Sequence, residues 1–286
     1  GGEMRHGRHW FSKAGLWFGL AFLYVPIVSM IVFSFNNSRL VTVWDAPNSP
    51  TLRWYGELFR NEQILGAAWL SIRIAAMSAT GAVVLGTLAG LVLARFGPFR
   101  GRALLSGMTT APLVMPEVIT GLSLLLLFVS LEQLIGWPAM RDAATITIAH
   151  ITFSMAYVTI VVQSRLAGFD NSLEEAALDL GARPAKVFFR ITLPLIVPAI
   201  MSGWLLAFTL SWDDVVVSQF VAGPGSTTLP MVIFSKVRLG VSPDVNALAT
   251  IMVLIVATGV VASAFWMRRQ ERRREREMQM AAAANK

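Results

Sequence analysis

Apolar residues gather into six long runs, at about 16–35, 66–94, 103–131, 143–165, 195–215 and 246–267, with polar stretches between them. An α-helix needs ~20 such residues to cross the hydrocarbon core of a bilayer. One such run could be a buried core helix. Six of them, in a chain of 286 residues that is 55% hydrophobic and 14% charged, are the pattern of an integral membrane protein, because soluble domains carry roughly 25% charged residues. The predicted fold class is all-α, with six transmembrane helices. The third and fifth runs contain prolines and need not be straight. No internal repeat is visible, and low complexity is confined to the basic tail and Ala281–Ala284.

Charge orients the spans. An even number of crossings puts both termini on one side of the membrane. That side holds seventeen of the 24 Lys and Arg residues, the opposite side holds six, and Arg73 lies inside the second run. Cations accumulate in cytoplasmic loops, so both termini are expected in the cytoplasm. The organisation is then a cytoplasmic N-terminus (1–15), a transmembrane domain (16–267) containing a cytoplasmic loop (166–194), and a basic tail (268–286). The net charge of +7 needs no nucleic acid: "RRQERRRERE" reads as a solvated anchor facing lipid headgroups. Gly1-Gly2-Glu3 before Met4 looks like a cloning scar. The first run is too long for a signal peptide and lacks a small-residue cleavage site, so it reads as an anchor.

Several chemistries are excluded. There is no cysteine, hence no disulfide, thiolate metal site or cysteine nucleophile. Of the three histidines, His6 and His9 lie in the polar N-terminus and His150 stands apart, which argues against a His-based metal centre. No Gly-x-x-x-x-Gly-Lys-Ser/Thr occurs, so the chain is not expected to hold ATP or to be an enzyme itself, and no cofactor is expected.

The cytoplasmic stretch "SLEEAALDLGARPAKVFFRITLPLIVPAI" carries the strongest pattern. Ser172 can cap a helix whose first turn holds Glu174 and Glu175, favourable against the helix dipole. Glu175 stands three residues after Ser172, as in a capping box. Gly181 ends or bends this helix. Pro184 suits the first turn of a second helix, 184–190, and Pro194 and Pro198 mark the start of the fifth span. A knuckle of this kind, exposing small residues outside the membrane, could dock into another protein's groove. It could equally be an interfacial hairpin.

The order Glu175-Ala176-Ala177, three residues, Gly181, nine residues, Ile191-x-Leu193-Pro194 resembles the EAA loop of the transmembrane subunits of bacterial ABC importers. In that family the loop forms coupling helices seated in a cleft of the ATPase. "FLYVPIVSMIVFSFNNSRLVTVW", "RWYGEL", "TAPLVMPEVITGLSLLLLF", "SGWLLAFTLSWDDVV" and "TTLPMVIFSKVRLGVSPDVNALAT" extend the likeness over nearly the whole chain. Together they resemble the second permease of putrescine/spermidine (polyamine) importers. The resemblance implies a type I importer permease fold in the bacterial inner membrane, a second permease subunit, two ATPase subunits and a periplasmic polyamine-binding protein. It also implies that Glu174, Glu175, Ala176, Ala177, Asp179, Gly181, Ala182 and Lys186 form the ATPase-coupling region. Permeases for other cationic solutes share the fold, and an ion-coupled secondary transporter would also carry intramembrane acids.

Ionisable residues inside spans are expensive and normally face a bundle interior or water. Here they are Arg73, Glu117, Asp213 and Asp214. Pro112 and Pro116 each remove a helix hydrogen bond and Gly121 loosens the next turn, so the third run should kink or break near Glu117. Opened backbone at that depth belongs beside protein or a wet cavity, which makes Glu117 a candidate path-lining anion; pairing with Arg73 is the alternative. Asp213 and Asp214 lie ~19 residues from Pro194, or ~28 Å along a helix axis, near the outer end of the fifth span. Neighbours on a helix are ~100° apart, so one acid is expected to face the path while the other pairs or caps the next segment. Trp212 and Tyr157 add aromatic faces that would attract an ammonium, although Trp212 also suits an interfacial belt. In the second run, Gly86-x-x-x-Gly90 permits close helix contact. Outside, Trp44, Trp54 and Tyr55 are expected to brace a surface helix rather than meet a binding protein.

Overall fold

The computed structural model describes residues 3–40, 43–170, 172–240 and 242–284. Gly1 and Gly2 of the expected scar, and Lys286 of the tail, lie outside them. The described residues form helices α1 (Glu3–Phe33), α2 (Arg53–Leu58), α3 (Glu62–Arg95), α4 (Arg102–Val114), α5 (Glu117–Ile135), α6 (Ala143–Ala167), α7 (Ser172–Asp179), α8 (Pro184–Val187), α9 (Leu193–Trp212), α10 (Val216–Val221), α11 (Leu229–Leu239) and α12 (Pro243–Ala284), with no strand among them. The chain divides into two compact units, residues 62–235 and the terminal segments 1–61 with 236–286.

The core of the 62–235 unit is the packing of α3, α6 and α9. Ala75, Ala79, Ala82, Gly86 and Gly90 recur at three- and four-residue spacing on α3, and all are buried. They form one smooth stripe. A Cβ on Gly86 would lie 2.7 Å from Val158 Cβ and 2.8 Å from the Met155 carbonyl oxygen. The backbones therefore meet more closely than a side chain permits, within one chain rather than between two. Without a hydrophobic drive between helices in lipid, such small-residue contact is what holds a bundle together. Val158, Val162, Leu166, Ile196 and Ala207 complete this core. A second cluster joins Ile74, Leu124, Phe128, Ile146 and Val217.

Five helices among the described residues are long and apolar enough to cross a membrane: Trp10–Phe33, Glu62–Arg95, Glu117–Ile135, Ala143–Ala167 and Pro184–Trp212. The described apolar part of the sixth predicted span is shorter, Pro243–Gly259, and its helix runs on to Ala284. Two predicted boundaries need correction. The 103–131 run is two helices, because Met115 precedes Pro116 and is extended, with ψ 135°, the conformation favoured for a residue before proline. The helix expected from 195 is continuous back to Pro184. The second knuckle helix expected at 184–190 instead passes through a π turn, Phe188–Thr192, directly into α9. Pro194 has no N–H to offer the carbonyl four residues back and its ring crowds that carbonyl, so the chain widens there.

In the unit formed by the terminal segments, α12 packs against α1 and α2. Trp54 is buried and its Nε1–H donates to the Asn36 carbonyl at 2.6 Å. Tyr55 Oη bonds Ser34 Oγ at 2.6 Å, and Trp44 sets its edge against Phe33. These aromatics brace α2 and the loop before it.

Candidate functional site

The break between α4 and α5 opens onto a cavity of about 280 Å³ lined by Pro112, Met115, Glu117, Thr120, Phe153, Tyr157, Asp213 and Asp214, among others. Two interruptions of helix build it. Pro116 ends one helix and Glu117 begins the next, with no side chain capping the new N-terminus. The carboxylate of Glu117 thus sits in the first turn of α5, where the helix dipole favours negative charge. Across the cavity, α9 stops at Trp212 with Asp213 as its C-terminal flank. Glu117 is exposed toward this space, and no ion pair joins it to Arg73 among the described residues.

The two adjacent aspartates have different surroundings. Asp213 is exposed. Asp214 is tied inward: its Oδ2 accepts from the Ser218 backbone N–H at 2.7 Å and its Oδ1 from that of Val217 at 3.2 Å. It is therefore the side-chain cap of α10, satisfying amides that no earlier turn can reach. The same carboxylate lies 3.1 Å from His150 Nε2. His150, on α6, is 1% exposed. Its Nδ1 is 2.6 Å from Ser211 Oγ on α9, and its Nε2 is also 3.1 Å from Ser218 Oγ on α10. One neutral tautomer satisfies this set: Nε2–H donates to the carboxylate, and Nδ1 accepts from the Ser211 hydroxyl. His150 thereby ties three helices together at the corner where α9 turns into α10.

Tyr157 lines the cavity, whereas Trp212 is not part of its wall and stacks on Phe208 with ring centroids 6.2 Å apart. The wall combines carboxylates with the rings of Phe153 and Tyr157, a chemistry suited to an organic cation. Among the described residues, no three His, Cys, Asp or Glu side chains gather as a metal site.

The cytoplasmic knuckle forms as a helix–glycine–helix. Asp170 Oδ1 accepts from the Ser172 N–H at 3.0 Å. The cap is thus supplied by Asp170 rather than by the predicted Ser172, and that bond holds the Asp170 carboxyl below its ordinary pKa. Gly181 has φ +80°. The N–H groups of Gly181 and Ala182 return to the carbonyls of Leu178 and Ala177, which is the Schellman closure of a helix end. Glu175, Ala176, Asp179, Gly181 and Lys186 are exposed, with Ala177 and Ala182 half-buried. Glu174 differs from the outward-facing set. Its Oε1 lies 3.2 Å from Arg95 Nη2 and accepts from Thr192 Oγ1 at 2.8 Å.

His150 and the inward turn of Glu174 were not foreseen. For His150 a signal existed. Thr147, His150 and Ser154 recur at helical spacing on α6, and Ser211 and Ser218 flank Asp214 by three and four residues, marking a polar seam inside apolar helices.

A profile of binding-protein-dependent transport system inner membrane components matches residues 82–276. The putrescine transport system permease protein PotI of Escherichia coli K12 is 57% identical over 265 residues, covering 92% of each chain. The spermidine/putrescine transport system permease protein PotC of the same organism is 44% identical over 243 residues, 85% of this chain and 88% of its own. In fold, the chain resembles a subunit of a bacterial ABC transporter for the import of alginate, with TM-score 0.71 at 16% identity, covering 92% of this chain and 98% of that one. It also resembles the MetNI methionine ABC transporter, with TM-score 0.56 at 15% identity, covering 70% and 92%.

Proposed function

As a member of the binding-protein-dependent transport system inner membrane component family, the chain is a permease subunit of an ABC-type polyamine importer, and we propose that it forms half of the translocation path and takes its ATPase stroke through the 166–194 loop. The observation that carries the substrate class is the extent of the likeness: 57% identity over 92% of the chain to a putrescine permease. The cavity adds an independent physical argument. A polyamine is a flexible chain of ammonium groups, and a wall holding Glu117, Asp213, Phe153 and Tyr157 offers carboxylates and ring faces to such a molecule. Asp214 shapes this wall, while Trp212 braces it from α9.

The assembly comprises a second, homologous permease, two ATPase subunits and a periplasmic polyamine-binding protein. The 246–267 segment is the sixth span, and both termini face the cytoplasm, where the cation bias places them. Transport proceeds by alternating access. ATP-driven closure of the ATPases moves the knuckle, and with it the bundle, so that the cavity opens outward and inward in turn. The outward face of Glu175, Ala176, Asp179, Gly181 and Lys186 seats in the ATPase cleft. A permease for another cationic solute shares every one of these features except the likeness to putrescine and spermidine permeases.

The test is putrescine uptake by Glu117→Gln in proteoliposomes holding the full assembly. A hydrogen bond to a charged group is worth roughly 1.5–3 kcal/mol, so uptake at low putrescine falls about ten- to hundredfold. Binding-protein docking and ATPase assembly stay intact. Wild-type uptake by both Glu117→Gln and Asp213→Asn would remove the cavity from the path.

A further inference from the structure

The knuckle helix α7 buries no residue. Beside it, an apolar cavity of about 400 Å³ opens between the end of α3 and the knuckle, lined by Leu88, Leu91, Val92, Phe96, Leu178 and Pro184, among others. α7 packs on α8 and the π turn, while the cavity separates it from the end of α3, so packing alone passes a push on α7 poorly to α3. The polar connection at the rim of that void is Glu174. Its Oε1 meets Arg95 Nη2 at 3.2 Å and receives the Thr192 hydroxyl at 2.8 Å. Arg95 closes the last turn of α3, and Thr192 is buried in the π turn that leads into α9. The end of α3 is itself held: Arg102 donates to the Leu93 carbonyl at 2.8 Å and to that of Gly97. One carboxylate oxygen thus joins the knuckle to α3 and α9, two of the three helices that form the core. The side chains of Arg95 and Glu174 are both 19% exposed, so the pair is shielded from screening that would weaken an ion pair in open water.

We infer that Glu174 is a positioning residue, a strut that carries movement of the knuckle into α3 and α9 and does not itself touch the ATPase. This rests on the reading of the 166–194 loop as the ATPase coupling segment and assigns its two adjacent glutamates opposite tasks. Glu175 faces the ATPase and Glu174 faces the bundle. Removing the strut leaves the docking face in place and cuts the tie of α7 to α3, leaving only the continuous run through α8 and the π turn into α9. The signature is uncoupling rather than disassembly. Residues along a coupling route typically modulate it by 0.5–2 kcal/mol, so uptake per ATP hydrolysed falls roughly two- to thirtyfold.

The experiment uses the full assembly, purified and reconstituted, with three measurements on each variant: ATPase subunits retained on purification, stimulation of hydrolysis by putrescine-loaded binding protein, and putrescine uptake. Glu174→Ala and Arg95→Glu are expected to retain the ATPase subunits and basal hydrolysis while losing stimulation and uptake together. Combining Arg95→Glu with Glu174→Arg restores the pair with its charges exchanged and recovers both. Wild-type coupling in Glu174→Ala overturns the strut. So does loss of the ATPase subunits in Glu174→Ala, because it would place the carboxylate in the docking contact. Failure of the exchanged pair to recover any stimulation also overturns it. Failure of the coupling reading itself shows elsewhere: Ala176→Trp, on the outward face, would then assemble and transport normally whatever Glu174 does.

Discussion

Asp213 and Asp214 are neighbours in sequence with opposite fates, and the cause is local. Asp214 stands two residues before α10 begins and three and four residues before the amides it caps. Its carboxylate is drawn inward by Val217, Ser218 and His150, and Asp213, a hundred degrees round the helix end, is left to the cavity. The substitutions separate accordingly. His150→Ala leaves a buried carboxylate and a buried serine without their partner, a loss of about 1–3 kcal/mol, seen as a lower melting temperature in detergent. Asp213→Asn stays within about 0.5 kcal/mol of wild type in stability, as exposed substitutions do, but lowers putrescine uptake. Equal melting temperatures for the two variants would contradict this division. That one acid would cap the next segment while the other stayed exposed was legible from helix geometry. Which one did so was not, because it depends on where α10 starts and on His150, which joins the local cap from a distant part of the chain.

The interruptions of helix matter as much as the helices. Proline spacing foretold the break before Glu117, because proline removes a helix hydrogen bond and disfavours the helical conformation of the residue ahead of it. Proline did not reveal that the second half of the knuckle would merge with α9 through a π turn. That outcome depends on how the widened turn packs, and the pattern 184–190 reads equally as a separate helix. The small-residue stripe on α3 was visible as Gly86-x-x-x-Gly90, but its partner was not, since spacing does not say which helix fills the groove. The stripe predicts a contrast between two glycines of one helix. Gly86→Ala drives a methyl group into Val158 and the Met155 carbonyl and costs roughly 1–3 kcal/mol. Gly66→Ala meets nothing within 4 Å and gains roughly 0.5–1 kcal/mol of helix preference. Thermal unfolding of the two variants checks the sign. At the knuckle, Gly181→Val forces a branched residue into φ +80° at about 1–2 kcal/mol. It frays the end of α7, and the ATPase subunits should then co-purify less well.

At the scale of the molecule, the proposed transport role rests on two different parts of one chain. One is an acidic, aromatic-walled cavity at two interruptions of helix. The other is a knuckle outside the membrane with a small-residue outer face and a charged inner tie. The apolar runs announced the membrane, and the knuckle's spacing pointed to its family, because each is a local pattern. The cavity was legible only as separate acids, since its walls come from α4, α5, α6 and α9 and meet only after folding. Both parts belong to one account: the chain passes a polyamine and borrows its energy from ATP hydrolysed elsewhere. The most direct measurement is labelled putrescine uptake into proteoliposomes holding the two permeases, the ATPases and the binding protein. ATP and an ion gradient are supplied separately. The account predicts uptake that needs ATP and loaded binding protein and is indifferent to the gradient. Uptake driven by the gradient without ATP would contradict it.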